Sequence, residues 1–173
     1  MDEVVEIGLG EEIVLEAYAS TPNAVYTWSP ADSLSCANCP APVARPVVST
    51  AYEIMAIDTV TGCSDVAQMR LVVRKDRNIY IPNAFSPNGD GLNDLFMIYG
   101  GLGVKGISQF KIYDRWGAEV HEAAGFLPDD KQFAWDGVAQ GRPMPKGVYV
   151  YWAEVEYLDG EIVRYTGDVS LLR

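Results

Sequence analysis

The sequence predicts an all-β chain built as two tandem antiparallel β-sandwich domains, and three observations predict it. From Val4 onward, short runs rich in β-branched and aromatic residues are broken by Pro, Gly, Asn or Asp every ten residues or so, the spacing of strands joined by turns. No stretch carries the 3.6-residue apolar period of an amphipathic helix. Four consecutive charges, Arg74-Lys75-Asp76-Arg77, separate two such series. Few buried contacts are expected to cross such a cluster, so the boundary falls near residue 76 and the domains are 1–76 and 77–173.

In the first domain the candidate strands are 13–18, 24–28, 52–58 and 67–73, with Thr61-Gly62 as the turn before the last. Residues 30–50 hold Pro30, Pro40, Pro42 and Pro46, after Pro22 at the preceding turn. A residue without an N–H cannot serve a central strand, which predicts that this stretch runs along an edge.

The second domain restarts with a strand at 78–81. Residues 83–96, Asn-Ala-Phe-Ser-Pro-Asn-Gly-Asp-Gly-Leu-Asn-Asp-Leu-Phe, set five oxygen-bearing side chains and two glycines between aromatic anchors. Gly89 and Gly91 allow positive φ, while Asn and Asp fold back on the local backbone or turn inward together as hard oxygen ligands. A strand at 96–99 follows, then Gly100-Gly101-Leu102-Gly103 as a flexible connector, a strand at 107–114, a turn at Arg115-Trp116-Gly117 and a strand at 118–122. Beyond Trp135-Asp136-Gly137 and a turn at 143–147 comes the clearest hairpin. Along 148–157 Tyr149, Tyr151, Ala153, Val155 and Tyr157 share one face, and Val148, Val150, Trp152, Glu154 and Glu156 the other. Asp159-Gly160 reads as a two-residue type I′ turn, and 162–172 returns with Val163, Tyr165, Val169 and Leu171 on one face. The chain ends inside this run, so the last strand is expected to be available at the molecular surface or edge.

Composition narrows the function classes. The net charge of −11 is spread evenly, with 10 acids and 4 bases in residues 1–75 and 14 and 9 in 76–173. No Lys/Arg cluster supplies a footprint for nucleic acid or anionic lipid. No run approaches the roughly 20 apolar residues of a transmembrane segment. The opening Met1-Asp2-Glu3-Val4-Val5 has no charged region followed by an apolar one, so an export signal is expected upstream.

Residues 79–173 resemble the gliding-motility-associated C-terminal domain, the type B sorting domain of the bacterial type IX secretion system. The residues that carry the resemblance are 82–96, Arg115-Trp116-Gly117, Trp135-Asp136-Gly137, Pro145-Lys146-Gly147-Val148-Tyr149-Val150-Tyr151, and Tyr165-Thr166-Gly167 before Leu171-Leu172-Arg173. His121 stands where such domains usually carry an aromatic. Residues 1–75 resemble the Ig-like or PKD-like repeats of the same surface proteins, through Tyr26-Thr27-Trp28-Ser29-Pro30, residues 34–40, Thr50-Ala51-Tyr52 and Gly62-Cys63-Ser64. Both domains are therefore expected to be Ig-like, the first a spacer.

The resemblance implies a non-enzymatic module that directs a large passenger across the outer membrane to the bacterial cell surface or the medium. It implies partners in the outer-membrane secretion machinery and in an outer-membrane protein of the PorP/SprF kind, and a monomer in isolation. Recognition is expected on the last hairpin and the strand edge near the end, through Val150, Trp152, Tyr165, Leu171, Leu172 and Arg173. In such repeats the cysteine of the Gly-Cys turn often pairs near the first strand; residues 7–10 supply no partner, so Cys63 is expected unpaired.

Several motifs admit two readings. Asn88, Asp90, Asn93 and Asp94, with the Leu92 carbonyl, are candidate calcium ligands, although six to eight oxygens would require a more distant acid or water. The same residues form a structural loop held by Asx-turns, with Asn83 closing it from outside. A calcium-dependent adhesive or carbohydrate-binding module is accordingly the rival function, and calcium the one cofactor in question. Cys36-Ala37-Asn38-Cys39 cannot open the helix of a redox motif because Pro40-Ala41-Pro42 follows, and zinc would need a second ligand pair, for which Cys63 with His121 in the other domain is a poor candidate. A small disulfide between Cys36 and Cys39, or two free thiols, remains, and an exported protein favours the disulfide. Asp136 is either a further ligand or part of a tight turn beneath a buried indole, and Arg115 either stacks on Trp116 or caps carbonyls. With one histidine, no nucleophile elbow, and Asp129-Asp130 confined to a loop, an enzyme is not expected.

Overall fold

The computed structural model describes residues 3–172. It is all-β apart from one short 3-10 turn at Lys131–Phe133, and the chain divides into two compact units, Met1–Asp76 and Arg77–Arg173.

The first unit contains β1 (Glu3–Gly8), β2 (Ile13–Val14), β3 (Ala24–Ser29), β4 (Val43–Ala44), β5 (Thr50–Asp58) and β6 (Ser64–Arg74). The main sheet runs β1-β6-β5-β3, and β2 pairs with β4 in a second, small layer. Strand alternation turns Trp28, Tyr52 and Leu71 to one face of the main sheet, where they meet Leu15 and Ala44 in the core. The expected strand at 13–18 shrinks to two residues, yet its pairing continues through Leu15 N–H to Pro42 O and Ala17 N–H to Pro40 O, both 2.9 Å. Pro40 and Pro42 have no N–H to return, so this part of the ladder runs one way.

Two expectations for this unit are corrected, and one strand is added. Within the proline-rich stretch Ala44 pairs with Ile13 on one side and Leu34 on the other, because Val43 and Ala44 lie between prolines and keep their own N–H groups. Strand β1 went unread among the opening residues. It runs parallel to β6, so the sheet is mixed rather than antiparallel.

The second unit contains β7 (Ile79–Tyr80), β8 (Ala84–Phe85), β9 (Tyr99–Gly100), β10 (Val104–Tyr113), β11 (Glu119–Ala123), β12 (Val138–Ala139), β13 (Arg142–Pro143), β14 (Gly147–Tyr157) and β15 (Ile162–Leu171). Its main sheet runs β11-β10-β14-β15-β8, while β7 pairs with β9 and β12 with β13. The core face carries Phe110 and Ile112 from β10, Tyr149, Ala153, Val155 and Tyr157 from β14, and Val169 and Leu171 from β15, all buried.

Here too the sheet is mixed, since β8 lies parallel to β15. The supposed connector at 100–103 is not loose: Gly100 belongs to β9, where a Cβ would stand 2.6 Å from Pro128 Cγ. The β14–β15 turn is not the two-residue type. Tyr157 N–H bonds Glu161 O and Gly160 N–H bonds Tyr157 O, so three residues bridge the strands and only Gly160 is left-handed, at φ 82°. Finally, the end of β15 is not an open edge, because Ser170 N–H bonds Asn83 O and Leu172 N–H bonds Phe85 O.

Candidate functional site

The 88–94 loop is a ring of backbone donors around carboxylates. Asp94 Oδ1 accepts from the N–H groups of Asn88 (3.0 Å) and Gly89 (2.8 Å), and Oδ2 from Gly91 (2.8 Å). Asp90 Oδ1 accepts from Leu92 N–H at 2.8 Å, and Asn88 links to Asp90 through its own amide. Gly89, Gly91 and Asn93 take φ of 78°, 87° and 53°, conformations that aim these N–H groups inward. The three amides hold the Asp94 carboxyl below the usual carboxylate range. Of the four candidate calcium residues, Asn88, Asp90 and Asp94 thus share one hydrogen-bonded ring, whereas Asn93 enters through its carbonyl, which accepts from Ser86 N–H at 2.8 Å and closes the loop. Asn83 lies outside the closure and pairs with Ser170 instead.

Below the loop, the recurrent motifs of the second unit converge. Trp135 is buried against Phe85 (centroids 5.2 Å) and Tyr149 (4.9 Å, edge-on), and its Nε1–H bonds Val138 O. Asp136 Oδ1 accepts from Val138 N–H at 2.9 Å, forming the tight turn. Gly137 sits at φ 78° where a Cβ would lie 2.9 Å from Leu171 Cδ1 and 3.1 Å from Pro87 Cγ. Tyr149 O–H donates to Pro145 O at 2.7 Å, and Tyr151 lies over Gly167, its cross-strand neighbour. The Arg115-Trp116-Gly117 turn is closed by Asp114, with the Arg115 guanidinium 5.3 Å from the Trp116 ring centre. These are packing roles: side chains of one motif fill spaces left by glycines of another.

The remaining predicted residues fall on different surfaces. Val150 is half-exposed on the outer face of β14 with Val148, beside the partly covered Trp152. Tyr165 faces the other way and shares a 2.6 Å hydrogen bond with Tyr157. Leu171 is buried under Gly137 and is removed from the recognition set, since alternation along β15 turns it into the core. Leu172 is exposed, and Arg173 lies outside the described residues. Cys36 and Cys39 are paired, Cα–Cα 6.0 Å, in the loop that receives the Trp28 indole N–H, while Cys63 is free and exposed.

Two features escaped the sequence reading. Arg77, assigned to a charged linker, lies 4.2 Å over the Tyr157 ring and forks onto Asp159 at 2.9 and 3.2 Å, with Glu161 also engaged. Burial and the Tyr165 hydroxyl push the Tyr157 phenol well up. His121 packs edge-on against Phe110, and its Nε2 meets Phe133 O at 3.0 Å; burial lowers its pKa. An Asp two residues after an aromatic at a hairpin end was the available cue for the Arg77 contact.

Residues 79–170 match the model of the CHU_C type IX secretion signal domain. No curated protein matches the chain. Among solved structures, a chimeric titin Z1Z2 carrying a decorin-derived peptide is 18% identical, covering 98% of this chain and 92% of its own, with a TM-score of 0.47. Dimeric latent PorU from Porphyromonas gingivalis is 10% identical over 99% of this chain and 19% of its own, TM-score 0.37. Drosophila N-cadherin EC1-4 is 10% identical over 99% and 48%, TM-score 0.38. Likenesses of this strength carry no argument about function.

Proposed function

Since the chain belongs to the CHU_C type IX secretion signal domain family through residues 79–170, we propose that its second unit is a non-enzymatic sorting module for a passenger joined ahead of it. The family match carries this reading. A type IX secretion signal engages the secretion machinery and sends its protein to the cell surface or the extracellular space. At finer grain, the passenger crosses the outer membrane and is held by an outer-membrane protein of the PorP/SprF kind, as in gliding-motility proteins. The first unit is an Ig-like spacer stapled by the Cys36–Cys39 bridge.

The face offered to the machinery is the outer side of the β14–β15 hairpin. Val148 and Val150 are about half exposed there, Leu172 is exposed, and Trp116 at the β10–β11 turn is 79% exposed. Apolar side chains in such positions mark interaction surfaces when they are contiguous. The 88–94 loop is read as a structural clasp, because its carboxylate oxygens are already met by its own N–H groups.

The test fuses a reporter ahead of residue 1 in a bacterium with type IX secretion. Export of the parent fusion is expected, together with loss of export for Val148→Asp combined with Val150→Asp when the variant stays folded. Retention of the parent fusion in the periplasm would overturn the sorting role. Normal export of the double variant would overturn only the choice of face.

A further inference from the structure

The first unit contains an open groove of roughly 600 Å³. Its floor is the inner face of the main sheet beyond the reach of the small second layer. Tyr26, Ile54 and Ala56 are half-buried there and Ala67 is exposed, although the same alternation that buries Trp28, Tyr52 and Leu71 points them inward. The second layer stops because its pairing ends at Ala17 N–H to Pro40 O. Past that point the backbone of residues 18–20 makes no hydrogen bond among the described residues, and the segment stands as one wall of the groove. The rim carries Glu16, Asp58 and Asp65, and no Lys or Arg lines the groove. Backbone amides led by Val60 hold Asp58 below its usual pKa, so it stays ionised.

An apolar floor with a tyrosine ring, an all-acidic rim and a wall at residues 18–20 whose backbone makes no hydrogen bond among the described residues suit one class of occupant. We propose that this groove binds an extended partner segment bearing lysine or arginine, which adds a strand beside residues 18–20. Its small apolar side chains lie on Tyr26, Ile54 and Ala56, and its cations reach Glu16 and Asp65. Layers of a sandwich stand about 10 Å apart, which admits one extended chain.

The test titrates the full 173-residue chain by calorimetry with capped peptides of about six residues alternating Lys with Val or Glu with Val. The Lys-Val peptide is expected to bind, with the Glu-Val peptide about 100-fold weaker or silent. Glu16→Gln with Asp65→Asn, both exposed positions, is expected to weaken binding roughly tenfold without changing Tm. Ala67→Tyr, placed in the exposed part of the floor, is expected to abolish binding while the circular dichroism spectrum is kept. The proposal is overturned if both peptides bind alike, if cadaverine binds as tightly as the Lys-Val peptide, or if Ala67→Tyr leaves binding intact. It is also overturned if the groove is filled by a second copy of the chain, seen as a dimer that Ala67→Tyr dissociates.

Discussion

Asp94 gathers three backbone amides on one carboxylate, and a charged acceptor makes stronger hydrogen bonds than a neutral one. Because its folded pKa is depressed, its contribution is present above the unfolded value and is lost as pH falls through the acid range below about 4. Asp94→Ala is expected to lower Tm by several degrees at pH 7, and the gap from the parent should close near pH 3, by thermal melts at both pH values. Melts of the parent with and without a chelator are expected to coincide. His121 has the same sign for a different reason: burial depresses its pKa, so the unfolded chain takes up the proton first and stability falls as pH drops below about 6.5. His121→Phe, which keeps the ring against Phe110, should flatten urea stability between pH 7 and 5. The residue types of the 88–94 loop were legible, but the direction of their oxygens was not, because calcium ligation and Asx-turns draw on the same side chains.

At the scale of elements, Arg77 ties the start of the second unit to the β14–β15 turn. Asp159 is 2% exposed at its side chain and Arg77 19%, so removing the cation takes the Arg77 ion pair away from a buried carboxylate. Arg77→Ala is expected to cost about 2 kcal/mol, less than a fully buried pair because one partner is partly wet. Adding Asp159→Asn should recover part of that loss in a double-mutant cycle. Gly137→Ala meets both a left-handed backbone and the Leu171 and Pro87 side chains and should cost roughly 2–3 kcal/mol by denaturant unfolding. Strand positions in β3, β5, β10, β14 and β15 were legible because alternation and turn residues are local signals. Direction and neighbour were not: β1 and β8 pair parallel with partners at distant positions in the chain, and nothing local records that. Arg77 was hidden by the charges around it, which resemble a linker until Tyr157 is seen beneath the guanidinium.

For the molecule as a whole, the all-β character and the sorting family were readable because both rest on many motifs in order. The outer face of the last hairpin was only partly readable. Alternation separated Val148 and Val150 from the core and turned Leu171 inward with Val169, but the position of Leu171 at the end of the last strand had placed it in the expected recognition set. Deleting 165–173 therefore removes Val169 and Leu171 from the core and is expected to abolish cooperative unfolding of the second unit, read by near-ultraviolet circular dichroism. That deletion tests folding and address together, whereas the Val148 and Val150 substitutions isolate the address. The position of β15 between β14 and β8 has one more effect. Strand β8 joins the sheet through β15, so a chain clipped ahead of β15 leaves β8 without its partner strand and the layer open. Closure of this layer is therefore non-local, coupling residues 84–85 to residues 170–171 across the second unit.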